Sequence, residues 1–473
     1  MKDHTDRTFI FVALVVLVLL LMHLLPIVSI GDVALRPVNI LSDITDSGER
    51  KYAGMWSVIP SVAPRKGMGT TRNDATNRLQ SASDTDLPWP KGVEPIYDFS
   101  QGKGCGMEHF YACLDSLESR RPLGRPVRIA FYGDSFIESD MLVADLREML
   151  QARYGGNGVG WVNAGSELTS LSPTIGNHFS GLTEHLVMRR NDYQATMAGL
   201  SEHYYLAAPQ ATTRFTAKTV YPHAATWQWS TLYLRSSAPA TIRIQTGANT
   251  QIRPIAASEH VQAIETPVMT GDVSYTIQSG RPTLFGVAHE SGEGIVIDNF
   301  SMRGSSGITL AHIPTQTLTE FSRLRPYDLI IFEYGVNAIS EHPKPDDLKW
   351  YMRNMRKVIA HYQKCFPQTS LLILGAPDRG ARRGNSIGTM DGIESLVEAQ
   401  RQLAESCGTG FYSLFHAMGG RGSMGKLVNQ NLASKDYIHL KPKGGKEIAR
   451  HIYESFVEGK RRHQSQKGLQ TIK

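Results

Sequence analysis

Apolar residues follow two rhythms along this chain, and the rhythms divide it. Residues 127–132, Val-Arg-Ile-Ala-Phe-Tyr, are almost continuously apolar and rich in β-branched and aromatic side chains. That is the pattern of a strand covered on both faces. It stops at Gly133-Asp134-Ser135 and passes into a helical pattern over 141–153, with another helix predicted ahead of it over 107–120. After Gly294 the alternation returns: 295–300, 327–333 and 370–375 read as strands, and 345–362, 392–407 and 443–456 as helices. Strands alternating with helices predict a parallel sheet with helices on both faces.

Between these segments, residues 166–294 carry a period-two pattern. Short alternating runs at 227–235, 241–245, 273–277 and 283–288 are separated by turn signals, which predicts an antiparallel, sandwich-like domain inserted into the α/β domain. Trp227, Trp229, Tyr204 and Tyr205 offer either a sugar-stacking platform or strand core, and core is the commoner use. The glycine-rich run over 154–161 lacks the Gly-Lys-Ser/Thr ending of a phosphate loop and reads as a turn.

The ends differ from both. Residues 9–25 are nearly all apolar and follow Lys2 and Arg7, so residues 1–31 read as a membrane anchor retained with its amino end inside. Pro26 and the small residues of Ser29-Ile30-Gly31 leave signal cleavage as the alternative. Either sends the remainder out of the cytoplasm. Residues 32–95 have the composition of a linker or loosely packed arm, with a basic patch over 65–72, and 460–473 form a basic tail.

Composition narrows the partners. With 473 residues and 41% hydrophobic content, the chain can build two or more full-sized cores. The net charge of +6 is dispersed, without an aromatic-interleaved basic stripe, and reads as a solvated surface rather than a nucleic-acid site. The cysteines, Cys105, Cys113, Cys365 and Cys407, match no zinc spacing. In an exported chain they can pair, Cys105 with Cys113 as the local choice, or remain buried thiols.

Ser135 follows the first strand, where a nucleophile would face the crevice at the carboxyl ends of a parallel sheet. A serine hydroxyl needs a base whose tautomer is fixed by a carboxylate, and Asp436-Tyr-Ile-His439 supplies both types near the last helix. Alone, Asp-x-x-His is more often a capping pair. Donors for an oxyanion are available in the Ser135 N–H, the loop Arg303-Gly-Ser-Ser-Gly-Ile308, and the Asn337 amide of Tyr334-Gly-Val-Asn337. Asp134 reads as turn-shaping, Glu138 and Glu333 as either substrate contacts or capping or buried groups, and His312 and His342 as less convincing bases.

Together, Gly133-Asp-Ser135, the loop ending at Gly307, Gly335-Val-Asn337 and Asp436-Tyr-Ile-His439 resemble the four blocks of the SGNH, or GDSL-type, hydrolases, in the family's order. Ile137 excludes the Gly-x-Ser-x-Gly elbow. The resemblance implies a flavodoxin-like three-layer domain built from 96–165 and 295–459 around the insertion at 166–294. It implies a Ser135, His439, Asp436 triad, an oxyanion hole from Ser135, Gly307 and Asn337, with Gly304 as the alternative glycine, and no metal or organic cofactor. The layout is similar to that of bacterial peptidoglycan O-acetylesterases. The expected function is therefore an esterase that deacetylates a cell-envelope glycan in the periplasm, held at the inner membrane or released after cleavage. An O-acetyltransferase, a lipase or thioesterase, and a non-catalytic glycan-binding protein are the alternatives.

Overall fold

The computed structural model describes residues 88–471, except 103, 104, 122, 384 and 385, together with a short antiparallel pair, Ser29–Ile30 with Val33–Ala34. The expected anchor, the basic patch over 65–72 and most of the expected linker lie outside the described residues. Among the described residues no helix is long and apolar enough to cross a membrane.

From residue 88 onward the chain builds two large sheets. It enters through β1 (Ile96–Asp98) and α1 (Glu108–Glu118), lays down β2 (Val127–Gly133), and crosses over α2 (Val143–Tyr154). Nine strands of the second sheet follow: β3 (Gly160–Asn163), β4 (Ile175–Leu186), β5 (His203–Ala217), β6 (Trp227–Ser236), β7 (Ala240–Thr246), β8 (Asn249–Ile255), β9 (Ser258–Thr270), β10 (Asp272–Ser279) and β11 (Thr283–Glu290). The first sheet resumes with β12 (Ile295–Ser301), α3 (Thr315–Leu324), β13 (Leu329–Glu333), α4 (Pro345–Cys365) and β14 (Ser370–Gly375). A hairpin, β15 (Gly380–Arg383) and β16 (Ser386–Thr389), precedes α5 (Ile393–Cys407), β17 (Gly410–Ser413), the short helices α6 (Leu414–Ala417) and α7 (Ser423–Asn429), and α8 (Pro442–Thr471).

The first sheet runs β12-β2-β13-β14-β17-β1, parallel except for the edge strand β1. Numbered along the chain, its five parallel strands lie in the order 2-1-3-4-5, which opens a crevice beyond the carboxyl ends of β2 and β13. Every residue of β2 is buried because both faces are covered. Ala130 and Tyr132 pack with Phe332, Tyr351 and Leu396 on one side. Ile129 and Phe131 pack with Leu114, Leu146 and Ile452 on the other. Successive strand residues point to opposite faces, so a strand with helices on both sides reads as continuously apolar.

The second sheet is antiparallel, branched and single rather than a pair of facing sheets. Its order is β8-β7-β10-β5-β11-β6-β9, with β4 added on β5 and β3 on β11. The fifteen-residue β5 pairs with β4 along most of its length, with β10 near its end, and with β11 at Tyr205 and Leu206. A strand that changes partners, opposite a bulge at Ser180 and Leu182, twists enough for one sheet to curl around its own core. Trp227, Phe215, Tyr205, Ile242 and Val287 fill that core. Trp227, Tyr204 and Tyr205 are buried and Trp229 is half-buried, so the first three are core rather than a sugar platform. Residues 160–163 join this sheet through β11, ahead of the expected boundary at 165. The glycines before them permit close backbone approach: a Cβ on Gly158 would lie 2.3 Å from the His289 carbonyl oxygen.

An ionic cluster ties the two sheets together. Arg325 is fully buried; it donates to Asp298 at 2.6 Å and pairs with Glu290 at 3.0 Å, and Glu290 also accepts from Arg128. Burial works to raise the Glu290 carboxyl, but the two guanidiniums overcome it and pull it down to about 2. All four cysteines are free, and burial pushes the Cys113 thiol up to about 12. The expected tail continues α8 as helix through Thr471, with Lys460 buried against Asp115 and Glu118.

Candidate active site

Ser135 stands just beyond β2. Gly133 makes the turn possible, because a Cβ there would lie 2.8 Å from Ile137 and 2.9 Å from the Glu333 carboxylate. Asp134 closes the turn by accepting the Phe136 N–H at 2.9 Å, which leaves the Ser135 side chain facing the crevice.

The segment between α7 and α8 brings the base. Asp436 Oδ1 accepts from the N–H groups of Ile438 and His439 at 2.9 and 3.1 Å, while Oδ2 meets His439 Nδ1 at 2.8 Å. Tyr437 takes a left-handed conformation, φ 59°, to close this loop. Burial alone would raise the Asp436 carboxyl, but hydrogen bonds from the His439 ring and the two backbone N–H groups outweigh it and hold the carboxyl below its ordinary value. An ionised carboxylate can only accept, so the imidazole proton sits on Nδ1 and leaves Nε2 as an acceptor. Nε2 lies 3.0 Å from Ser135 Oγ, across 304 residues of sequence. Such a chain of bonds can draw the proton from the serine hydroxyl.

The expected oxyanion donors divide. The Met302 N–H donates to the Gly133 carbonyl at 2.9 Å, which sets the 302–307 loop beside the serine turn. In that loop Gly307 is buried and its N–H donates to Ser305 Oγ at 3.0 Å, so the expected donor is already engaged. Gly304 is exposed, and among the described residues its N–H has no hydrogen-bond partner; the same holds for Ser135. Asn337 donates from Nδ2 to Asp134 Oδ2 at 2.8 Å and to the Ser305 carbonyl at 3.2 Å. The longer of these is the one an incoming oxyanion could replace.

Two buried carboxyls lie under the turn. Burial lifts Asp134 to about 6, although the Phe136 N–H, His439, Arg379 and Asn337 all favour its ionised form. Glu333 is completely buried, and burial, reinforced by the neighbouring Asp134, pushes it well above its ordinary value. Glu138 instead pairs with Arg303 at 2.9 to 3.0 Å. His342 contacts Asp391 and is exposed, as is His312; neither is bonded to Ser135.

Several supporting residues belong to no spaced motif. Gln400 donates to the Tyr334 carbonyl at 2.6 Å and accepts from Ala376 at 2.8 Å, joining the loops after β13 and β14. Its only sequence signal is an amide on the buried stripe of α5. Ser305 fixes Gly307 and Asn337, and Arg379 reaches the Val336 carbonyl. A cavity of about 580 Å³ beside the site is lined by Ser139, Met302, Arg303, Leu186 and Met188 among others, but not by Ser135 or His439. The His439 and Asp436 side chains are 31% and 46% exposed, so the triad residues open toward solvent.

No family model and no curated protein matches the sequence. Among solved structures, one of a peptidoglycan O-acetylesterase aligns with a TM-score of 0.65 at 20% identity, covering 77% of this chain and 99% of its own. The chain shares the fold of that structure. An acetyl xylan esterase structure aligns with only 34% of the chain, at a TM-score of 0.25 and 15% identity.

Proposed function

We propose that this protein is a serine esterase that removes O-acetyl groups from a cell-envelope glycan, peptidoglycan above all, outside the cytoplasm. The observation that carries the proposal is the unbroken hydrogen-bonded chain from Ser135 through His439 to Asp436, at the carboxyl end of β2 in an SGNH fold. The fold shared with a peptidoglycan O-acetylesterase supports the substrate class, and the openness of the triad suits a polymer better than a long acyl chain in a closed groove. The apolar run over 9–25 supports export.

In this mechanism His439 Nε2 takes the Ser135 proton as Oγ attacks the acetyl carbonyl. The oxyanion accepts from the N–H groups of Ser135 and Gly304 and from the Asn337 amide. The bond from the acetyl carbon to the sugar oxygen then breaks, and His439 returns the proton to that oxygen. Water attacks the acetyl-serine by the same route, releasing acetate and restoring the hydroxyl. Full-length protein incubated with O-acetylated peptidoglycan should release acetate, and Ser135→Ala should abolish release. Transfer of acetyl to added glycan in place of release would instead identify a transferase.

A further inference from the structure

We propose that Arg379 forms an anion-binding subsite, a guanidinium held where the three catalytic loops meet so as to bind a carboxylate on the acetylated sugar. The proposal rests on the esterase function above. Arg379 lies between β14 and the β15–β16 hairpin. Its Nη1 donates to the Val336 carbonyl at 3.1 Å, one residue before Asn337. The next residue, Gly380, donates its N–H to the Tyr437 carbonyl at 2.9 Å, two residues before His439. A Cβ on Gly380 would come within 2.6 Å of Tyr437 Cβ, so the hairpin is seated directly on the histidine loop. The Arg379 charge is also felt by buried Asp134, the residue before Ser135. The Arg379 side chain thus holds the amide loop beside the serine turn, and the backbone of the next residue holds the histidine loop.

Among the described residues its guanidinium forms no direct ion pair, and Asp134 acts on it only at a distance. A guanidinium has five N–H donors, and among the described residues the only hydrogen bond that of Arg379 makes is to a neutral carbonyl. The nearby acids are committed elsewhere. Asp436 holds His439, Glu138 holds Arg303, and Asp378 accepts from Ser423 and Met424. Burial keeps Glu333 protonated, and the two oxygens of Asp134 accept from Phe136 and Asn337. A half-buried arginine with donors to spare beside a reacting centre is suited to a planar anion that the protein does not supply. A muramic acid residue without a stem peptide carries such a group in its lactyl carboxylate, and a neutral sugar does not.

The test compares 6-O-acetyl-N-acetylmuramic acid with its carboxyl methyl ester, which loses the charge and gains one methyl group. Wild-type enzyme should favour the free acid in kcat/KM. Arg379→Gln should lower that preference about 10- to 100-fold, the size expected for one lost charge-assisted hydrogen bond. Arg379→Lys, with the charge but not the fork, should keep part of it. Arg253→Gln removes the same charge from an exposed strand where Arg253 contacts Gln251, and should leave the preference as it is. Equal rates of the wild type on the two compounds would overturn the proposal. So would an equal loss on both in Arg379→Gln, since that marks a purely structural tie to Val336. A wild type inactive on both would overturn the esterase function itself, and the subsite with it.

Discussion

Replacing Asp436 by asparagine should damage catalysis more than removing its side chain altogether. The two backbone N–H groups at 2.9 and 3.1 Å require an acceptor at the Oδ1 position, so the new amide must present its NH₂ to His439. The ring then accepts at Nδ1 and carries its proton on Nε2, which can no longer take the proton of Ser135. For a buried triad aspartate this exchange costs about 10⁴-fold in kcat. Asp436 is 46% exposed, water competes for the ring, and the expected loss is about 10³-fold, or roughly 4 kcal/mol of transition-state stabilisation. Asp436→Ala leaves Nδ1 to water and should lose less, about 10²-fold. The assay is kcat on an aryl acetate at neutral pH, with circular dichroism to show that the fold is kept. If Asp436→Asn turns over as fast as Asp436→Ala or faster, the tautomer argument is wrong.

Three further outcomes follow from the buried groups and the glycine loop. Burial raises the Glu333 carboxyl well above its ordinary value of 4.5, so its contribution to stability should fall as pH rises above about 5. Glu333→Gln, which mimics the neutral acid, should flatten that decline in urea melts followed across pH; an unchanged slope would contradict it. Glu290→Ala leaves Arg128 and Arg325 without their shared partner and should cost about 3–5 kcal/mol in denaturant midpoint at pH 7. Because the Glu290 carboxyl is depressed to about 2, its contribution is present at neutral pH and is lost as pH falls from the ordinary carboxylate range toward 2, so the difference between the two proteins should shrink in acid. Gly304→Ala meets nothing closer than Met188 at 3.5 Å, whereas Gly307→Ala would drive a Cβ to 2.6 Å from the Tyr334 ring. Both have positive φ, so Gly304→Ala should cost about 1–2 kcal/mol and Gly307→Ala measurably more; calorimetric midpoints in the opposite order would reject this account of the loop.

What could be read from the sequence follows from how local each signal is. β2 and β14 announce themselves because a strand covered on both faces needs no partner to explain its apolar run. β17 is four residues, Gly-Phe-Tyr-Ser, too short for any period, and β5 hides behind Pro209 in its middle, which argues against a strand from sequence alone. The single curled sheet was equally hidden, since period-two patterning cannot tell one bent sheet from two facing ones. At the site, Ser135, Asp436, His439 and Asn337 sit in short blocks, and the sheet order brings these together. The choice between Gly304 and Gly307 was not legible, because it depends on whether the Ser305 hydroxyl takes up a backbone N–H. Arg379 carries no motif, and only its bond to Val336 and the bond of the next residue, Gly380, to Tyr437 reveal it.

The central claim is that Ser135 becomes acetylated by way of His439, and rapid-quench mass spectrometry tests it most directly. Full-length protein mixed with an excess of aryl acetate and quenched in acid should gain one acetyl group, localised by peptide mapping to Ser135, before steady-state acetate release is reached. Ser135→Ala should gain none, and His439→Ala should gain it only very slowly. Turnover without any acetyl-enzyme on Ser135, or an acetyl group mapped to another residue, would contradict the account.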